Sequence, residues 1–243
     1  MNEETPEEKK RLIHEAIQFG GDEDLQEKMK KLIDENSNVF ASNLRECEPA
    51  KVTPLKIEFE DRSKWEHKAN QGKVRPQPDG KRKAVKEKMD EMVKSGVIEL
   101  CDAKHYSQIH LVMKPDGKYR FTVDFRQLNA CIKSSSWPIP KIQDIFQDIG
   151  ATRPRYFCIM DMTEGYYQLP LDEASRDFTA MYTTAGLYRW KRVPMGLKHA
   201  GIHFQKMIET EVLHGIVGTG CAVYQDDVCV YASTKEELLT RMS

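Results

Sequence analysis

None of the six cysteines, at 47, 101, 131, 158, 221 and 229, forms a C-x-x-C pair. Neither a zinc site nor a dithiol redox motif is therefore indicated, and a reducing compartment suits them. No apolar run approaches the roughly 20 residues that span a bilayer, and the N-terminus lacks the basic region followed by an apolar stretch that marks a secretory signal. The expectation is a soluble intracellular protein with no membrane partner. A strong charge of either sign is also missing: the net charge is −1 over 243 residues, without the basic excess that a polyanion-binding chain usually carries.

That neutrality hides an uneven arrangement. Residues 1–60 carry nine basic and fifteen acidic side chains, net −6, whereas residues 61–120 carry fifteen basic and nine acidic, net +6. The basic stretch includes Lys73, Arg75, Lys81, Arg82, Lys83, Lys86 and Lys88. It reads either as a track for phosphates or as a solvated linker entering the exposed face of a helix over 84–95. The acidic stretch reads as two helices, Glu7 to Phe19 and Asp24 to Asn36, separated by Gly20-Gly21. An apolar content of 40% is enough for one or two cores.

Tyr224-Gln225-Asp226-Asp227 places two adjacent carboxylates inside an apolar run, with Cys221-Ala222-Val223 before and Val228-Cys229-Val230-Tyr231 after. The flanks favour strands, so Gln225 and Asp226 are expected in a hairpin turn that presents the acids at its tip. An acid pair alone is a common turn signature. A third carboxylate, Asp161, ends another strand-like run, Tyr156-Phe157-Cys158-Ile159-Met160. Three hard oxygen donors suit magnesium, and two such ions support nucleotidyl transfer.

Several further segments occur in a telling order. Gly96-Val97-Ile98, Ser107 to Arg120 with Asp116-Gly117 as its turn, Val123-Asp124-Phe125-Arg126-Gln127-Leu128-Asn129 and Trp137-Pro138-Ile139-Pro140 come first. Asp161-Met162-Thr163-Glu164-Gly165-Tyr166-Tyr167-Gln168, Trp190 to Ala200, and Phe204-Gln205 follow, and the acid pair closes the series. Over roughly Lys51 to Lys235 the chain resembles the reverse transcriptases of gypsy-type long-terminal-repeat retrotransposons.

The resemblance implies an α+β right-hand polymerase fold, with fingers and a palm whose antiparallel sheet has helices on one face. Along the chain it implies an acidic helical lead-in over 1–50 ending near Val39-Phe40, a basic linker and fingers over 51–150, and a palm over 151–243. Only sixteen residues follow Asp227, so no thumb is expected, and the connection and ribonuclease H parts of a larger polyprotein are likewise missing. It further implies Asp161, Asp226 and Asp227 as catalytic carboxylates that, with the Met162 carbonyl, hold two magnesium ions, manganese being a substitute. Lys114 and Arg120 would approach the triphosphate, Tyr166 would lie beneath the sugar and exclude a 2′-hydroxyl, and Met195 and Gly196 would shape the pocket. The implied partners are an RNA or DNA template with its primer, and deoxynucleoside triphosphates. The implied location is cytoplasmic, in retroelement particles, or nuclear.

Departures from the family pattern bear on efficiency. Met195 stands where phenylalanine is usual, His199 and Gly201 where asparagine and proline are common, and Gln225 where the residue is more often apolar. His199 and His203 share a zinc-like i,i+4 spacing but lack the intervening catalytic glutamate, so a packing or surface role is expected. Two other readings compete with a polymerase: a decayed or repurposed retroelement fragment that still binds nucleic acid, and an unrelated metal-dependent phosphotransferase or structural module with coincidental acids.

Overall fold

The computed structural model describes residues 5–40, 48–67, 78–113 and 119–243. In chain order the helices are α1 (Pro6–Ala16), α2 (Glu23–Glu35), α3 (Arg62–Trp65), α4 (Asp79–Lys94), α5 (Arg126–Cys131), α6 (Ile142–Ala151), α7 (Gly165–Gln168), α8 (Ala200–Met207) and α9 (Lys235–Met242). The strands are β1 (Ile98–Leu100), β2 (Ser107–Met113), β3 (Tyr119–Val123), β4 (Tyr156–Asp161), β5 (Met181–Thr183), β6 (Gly186–Trp190), β7 (Cys221–Tyr224) and β8 (Asp227–Ala232). They fall into two compact units assembled from interleaved stretches. One takes Met1–Asn43, Pro140–Thr163 and Gly215–Ser243, the other Leu44–Ile139 and Glu164–His214. No helix among the described residues is long and apolar enough to cross a membrane.

The first unit is built on a three-stranded antiparallel sheet ordered β4-β8-β7. Period-two alternation sorts its side chains. Val228, Val230, Cys221 and Val223 are buried on one face, whereas Phe157 and Ile159 on the other are 52% and 74% exposed. Helix α9 packs against β8 and β4, and α6 against β7. The Thr234 hydroxyl caps α9 by accepting from the Glu237 amide at 3.2 Å, which satisfies one of the amides a helix start leaves open. At the chain's other end Thr5 and Asp22 cap α1 and α2 in the same way.

Helix α1 stops at Ala16, short of the expected Phe19, because Ile17 turns extended. Phe19 then packs edge-on against His14 at 6.1 Å and under the Lys30 ammonium at 5.3 Å. A ring contact and a cation–π contact there replace the last helical turn.

The second unit carries a five-stranded sheet ordered β1-β6-β5-β2-β3. Every pairing is antiparallel except β2 with β5, which is parallel. Helix α4 begins at Asp79, earlier than the 84–95 expected, and buries Val85, Met89 and Met92, residues at i, i+4 and i+7 that share one helix face. Trp190 and Phe125 are 1% and 2% exposed, each worth about 2–3 kcal/mol of burial. The Tyr167 ring lies 5.3 Å from that of Trp190. Helix α8 ends at Met207 and continues as a π-helical turn over Ile208–Val212. Buried Gln205 donates to Glu209 at 2.7 Å along that segment.

The expected fingers hairpin corresponds to β2 and β3, paired from Ile109↔Val123 to Met113↔Tyr119. Its Asp116-Gly117 tip and Lys114 lie outside the described residues, as do Lys73 and Arg75.

Candidate active site

The hairpin that joins β7 to β8 has two central residues, Gln225 and Asp226, with Tyr224 paired to Asp227. Gln225 has φ 54° whereas Asp226 does not share the positive sign. Positive φ at the first central position is the sign of a type II′ turn, a place glycine normally takes. A glutamine there stores strain, and so does Glu164, at φ 48° ahead of α7. Non-glycine residues held in this region cost roughly 1–3 kcal/mol and concentrate at functional sites. These two lie within the motifs that contain Asp161 and the acid pair.

Antiparallel pairing of β4 with β8 brings Asp161 directly opposite Asp227. Directly opposed residues project from the same face, so two exposed carboxylates share the end of the sheet. Asp226, half-buried, is the next residue, and its carbonyl accepts from the Met162 amide at 3.0 Å. That bond ties the end of β4 to the turn. Among the described residues none of the three carboxylates makes an ion pair.

Unbalanced like charges facing each other across a ladder are the feature that fits a divalent cation. Carboxylate and carbonyl oxygens are the hard donors magnesium takes. No three His, Cys, Asp or Glu side chains among the described residues converge into a complete cage. The remaining ligands would come from water and phosphate oxygens, which magnesium retains readily.

The second unit holds the other expected residues. Tyr166 lies on α7, its ring 5.3 Å from Phe204 of α8. The next residue, Tyr167, is buried, and burial, reinforced by Glu164, pushes its phenol well above the usual tyrosine range. Buried Arg192 donates through Nη1 to the Tyr167 carbonyl at 3.1 Å and so anchors α7. Met195 is 43% exposed. Gly196 has φ 87° with open space where a side chain would go, so its backbone conformation, not crowding, calls for glycine. Arg120 is exposed on β3, opposite Val112.

An open cleft of about 310 Å³ runs beside Gly196, lined also by His110, Asp124, Arg126 and Asn129. Asp124 accepts three bonds from Arg126, from its backbone amide at 3.2 Å, its Nε at 2.8 Å and its Nη2 at 2.6 Å. Arg126 holds its carboxyl well below the usual carboxylate range. Asn129 bonds the Gly196 carbonyl and the Lys198 amide at 2.8 and 2.7 Å. Sequence reading passed over Asn129 and Arg192, because each acts on the backbone of a segment remote in the chain.

The family model described as "Reverse transcriptase (RNA-dependent DNA polymerase)" matches residues 112–243. The chain belongs to this family. Its relatives include the Pol polyproteins of the Drosophila melanogaster transposons 412, at 32% identity over 165 residues, and opus, at 35% over 162 residues. Each match covers 65% of this chain, but only 13% and 16% of the relative. The transposon gypsy polyprotein of the same organism is 28% identical over 159 residues, 63% of this chain and 15% of the relative. Among solved structures, the native prototype foamy virus protease-reverse transcriptase superposes with a TM-score of 0.77 at 21% identity, over 97% of this chain and 30% of the viral one. The foamy viral enzyme in complex with RNA/DNA hybrid gives 0.79 at 20%, over 96% and 30%. The right-hand polymerase fold of the reverse transcriptases is therefore the fold of this chain, α+β with an antiparallel palm sheet.

Proposed function

We propose that the chain is the fingers-and-palm portion of an RNA-directed DNA polymerase, transferring a nucleotide from a deoxynucleoside triphosphate to a primer 3′-hydroxyl on an RNA or DNA template. The observation that carries this reading is Asp161 opposite Asp227, with Asp226 in the adjoining turn and no cationic partner among the described residues. Two magnesium ions, when bound, would lower the pKa of the attacking hydroxyl and offset charge on the departing pyrophosphate. Asp161 and Asp226 would hold them, supported by Asp227 and the Met162 carbonyl.

The remaining residues act by position. Arg120, exposed towards the turn end of its hairpin, offers a planar fork suited to two phosphate oxygens, and Lys114 a second cation. Tyr166 would lie under the sugar, excluding a 2′-hydroxyl by bulk. Met195 and Gly196 would form the pocket wall, with glycine allowing close approach of the backbone. Pairing with the template would supply sequence, while protein contacts to the nucleic-acid backbone supply register.

A second reading, a silent retroelement fragment that binds nucleic acid without extending it, is favoured by Gly201 in the first turn of α8 and by His199 just before it. Primer extension with magnesium on an RNA template separates the two, using the chain as given, its Asp226→Asn variant and a version continued through a family thumb. Incorporation that Asp226→Asn abolishes, in either length, supports the polymerase. Folded protein that incorporates nothing in both lengths supports the silent fragment.

A further inference from the structure

The segment Pro194 to His199 contains the two pocket residues and belongs to no helix or strand. Glycine at φ 87° and an exposed Met195 do not hold a loop in place by themselves. Bonds from the segment around α5 do. The Asn129 side chain donates through Nδ2 to the Gly196 carbonyl at 2.8 Å and accepts through Oδ1 from the Lys198 amide at 2.7 Å. A carbonyl can only accept and an amide N–H can only donate, so these partners fix which way round the asparagine amide sits.

Beyond that fork, Lys198 Nζ reaches the Ile132 carbonyl at 2.8 Å and the Ser134 hydroxyl at 3.4 Å. His199 Nε2 accepts from the Ser135 amide at 3.2 Å. Asn129, Ile132, Ser134 and Ser135 thus tie down Gly196, Lys198 and His199, more than 60 residues further along the chain. Asn129 is the member that grips Gly196 itself, and it does so on both sides of Leu197, a core residue 5% exposed.

We propose that Asn129 is a positioning residue for nucleotide binding: its amide fork sets the height and tilt of the Met195-Gly196 wall without touching the nucleotide. This rests on the reading of Met195 and Gly196 as pocket residues. Other side chains do not replace the fork. Aspartate keeps the acceptor for Lys198 but sets an oxygen against the Gly196 carbonyl, and alanine removes both bonds.

The test compares wild type, Asn129→Ala, Asn129→Asp and Asp226→Asn in dTTP incorporation on poly(rA)·oligo(dT), with thermal melting and amide exchange at Lys198 measured on the same full chains. In Asn129→Ala, KM for dTTP is expected to rise on the order of tenfold to a hundredfold, with kcat within about threefold of wild type, the split that marks loss of positioning in binding and not of chemistry. Lys198 amide exchange should quicken in Asn129→Ala and stay slow in Asn129→Asp, while both variants raise KM. An unchanged KM in Asn129→Ala overturns the proposal. So does a proportional loss of kcat accompanied by a collapsed melting temperature in both variants, which would make the residue merely structural. The same comparison is run on the chain continued through a family thumb; if wild type neither binds nor incorporates dTTP in either length and matches Asp226→Asn, the polymerase reading itself has failed and the proposal falls with it.

Discussion

Asp161 and Asp227 face each other across the β4–β8 ladder, two exposed carboxylates of like charge on one face of the sheet end. Directly opposed like charges cost up to about 1 kcal/mol in a sheet, so the arrangement weakens the fold where the chemistry is proposed to occur. Asp227→Asn should therefore raise the melting temperature in metal-free buffer. Magnesium should stabilise wild type more than the variant, since a ligand that binds only the folded state adds stability by mass action. Melting curves with and without magnesium chloride check this, and equal magnesium shifts in both proteins would remove the carboxylates from metal binding.

The chemistry should be more sensitive than the fold. Asp161→Asn and Asp226→Asn should each lower primer extension on the order of a hundredfold or more, with melting temperatures at or above that of wild type. Extension by either variant at near wild-type rate would mean that the acid concerned is not in the reacting set.

Gln225 offers a test of backbone strain separate from charge. Glycine at its left-handed position should leave stability unchanged or improve it by about 1 kcal/mol, the relief of φ being partly offset by greater freedom of the unfolded chain. Valine should cost about 1–2 kcal/mol, because a β-branched side chain tolerates positive φ least. Denaturant midpoints for the two variants should move in opposite directions or at least separate clearly. Coincident midpoints would argue that the turn is relaxed.

His199 introduces a pH dependence. Burial, with the Lys198 charge beside it, holds its pKa below the usual histidine value, so the folded state favours the neutral ring that accepts from Ser135. A group whose folded pKa is depressed contributes stability above its unfolded pKa, and that contribution is lost as pH falls from about 6.5 towards the folded value. His203, also lowered by burial, although its bond to the Thr53 carbonyl opposes the shift, adds in the same direction. Protection of the Ser135 amide, its exchange rate relative to that of an unstructured amide at the same pH, should fall on acidification in wild type, and His199→Asn should remove most of that change while leaving the His203 part. A Ser135 exchange profile identical in the variant would dissociate the bond from the titration.

What could be read from the residues alone was local. The β-branched flanks of Gln225-Asp226 sufficed for the β7–β8 hairpin, and the apolar spacing of Leu25, Met29, Leu32 and Ile33 for α2. The facing of Asp161 and Asp227 had no such signal, because ladder register depends on a partner 66 positions away; only the resemblance pointed to it. The parallel pairing of β2 with β5 left no periodic trace either, since it joins two residue pairs, Ser107↔Met181 and Gln108↔Tyr182, far apart in the chain. Helix α8 gives way to a π turn over Ile208–Val212, and no local feature of that stretch marks the change. Asn129 was part of a motif that carries no chemistry of its own, and its importance lies in the backbone atoms it meets across the fold.

The pairing of β4 with β8 also has a kinetic consequence. Between Asp161 and Asp227 the chain runs through the whole of Glu164–His214, which belongs to the other compact unit. Closing so long a loop carries an entropic cost that no local contact repays on the way, and non-local pairings of this kind are the slow ones in folding. The carboxylates are therefore expected to meet after the intervening segment has found its own structure, an order that pulse-labelled exchange of the β8 and β6 amides during refolding would reverse if β8 were protected first. Before that pairing forms, each acid would be a solvated side chain with nothing to repel and no ion to share, so a chain lacking the β4–β8 ladder would carry the residues of the site without its properties.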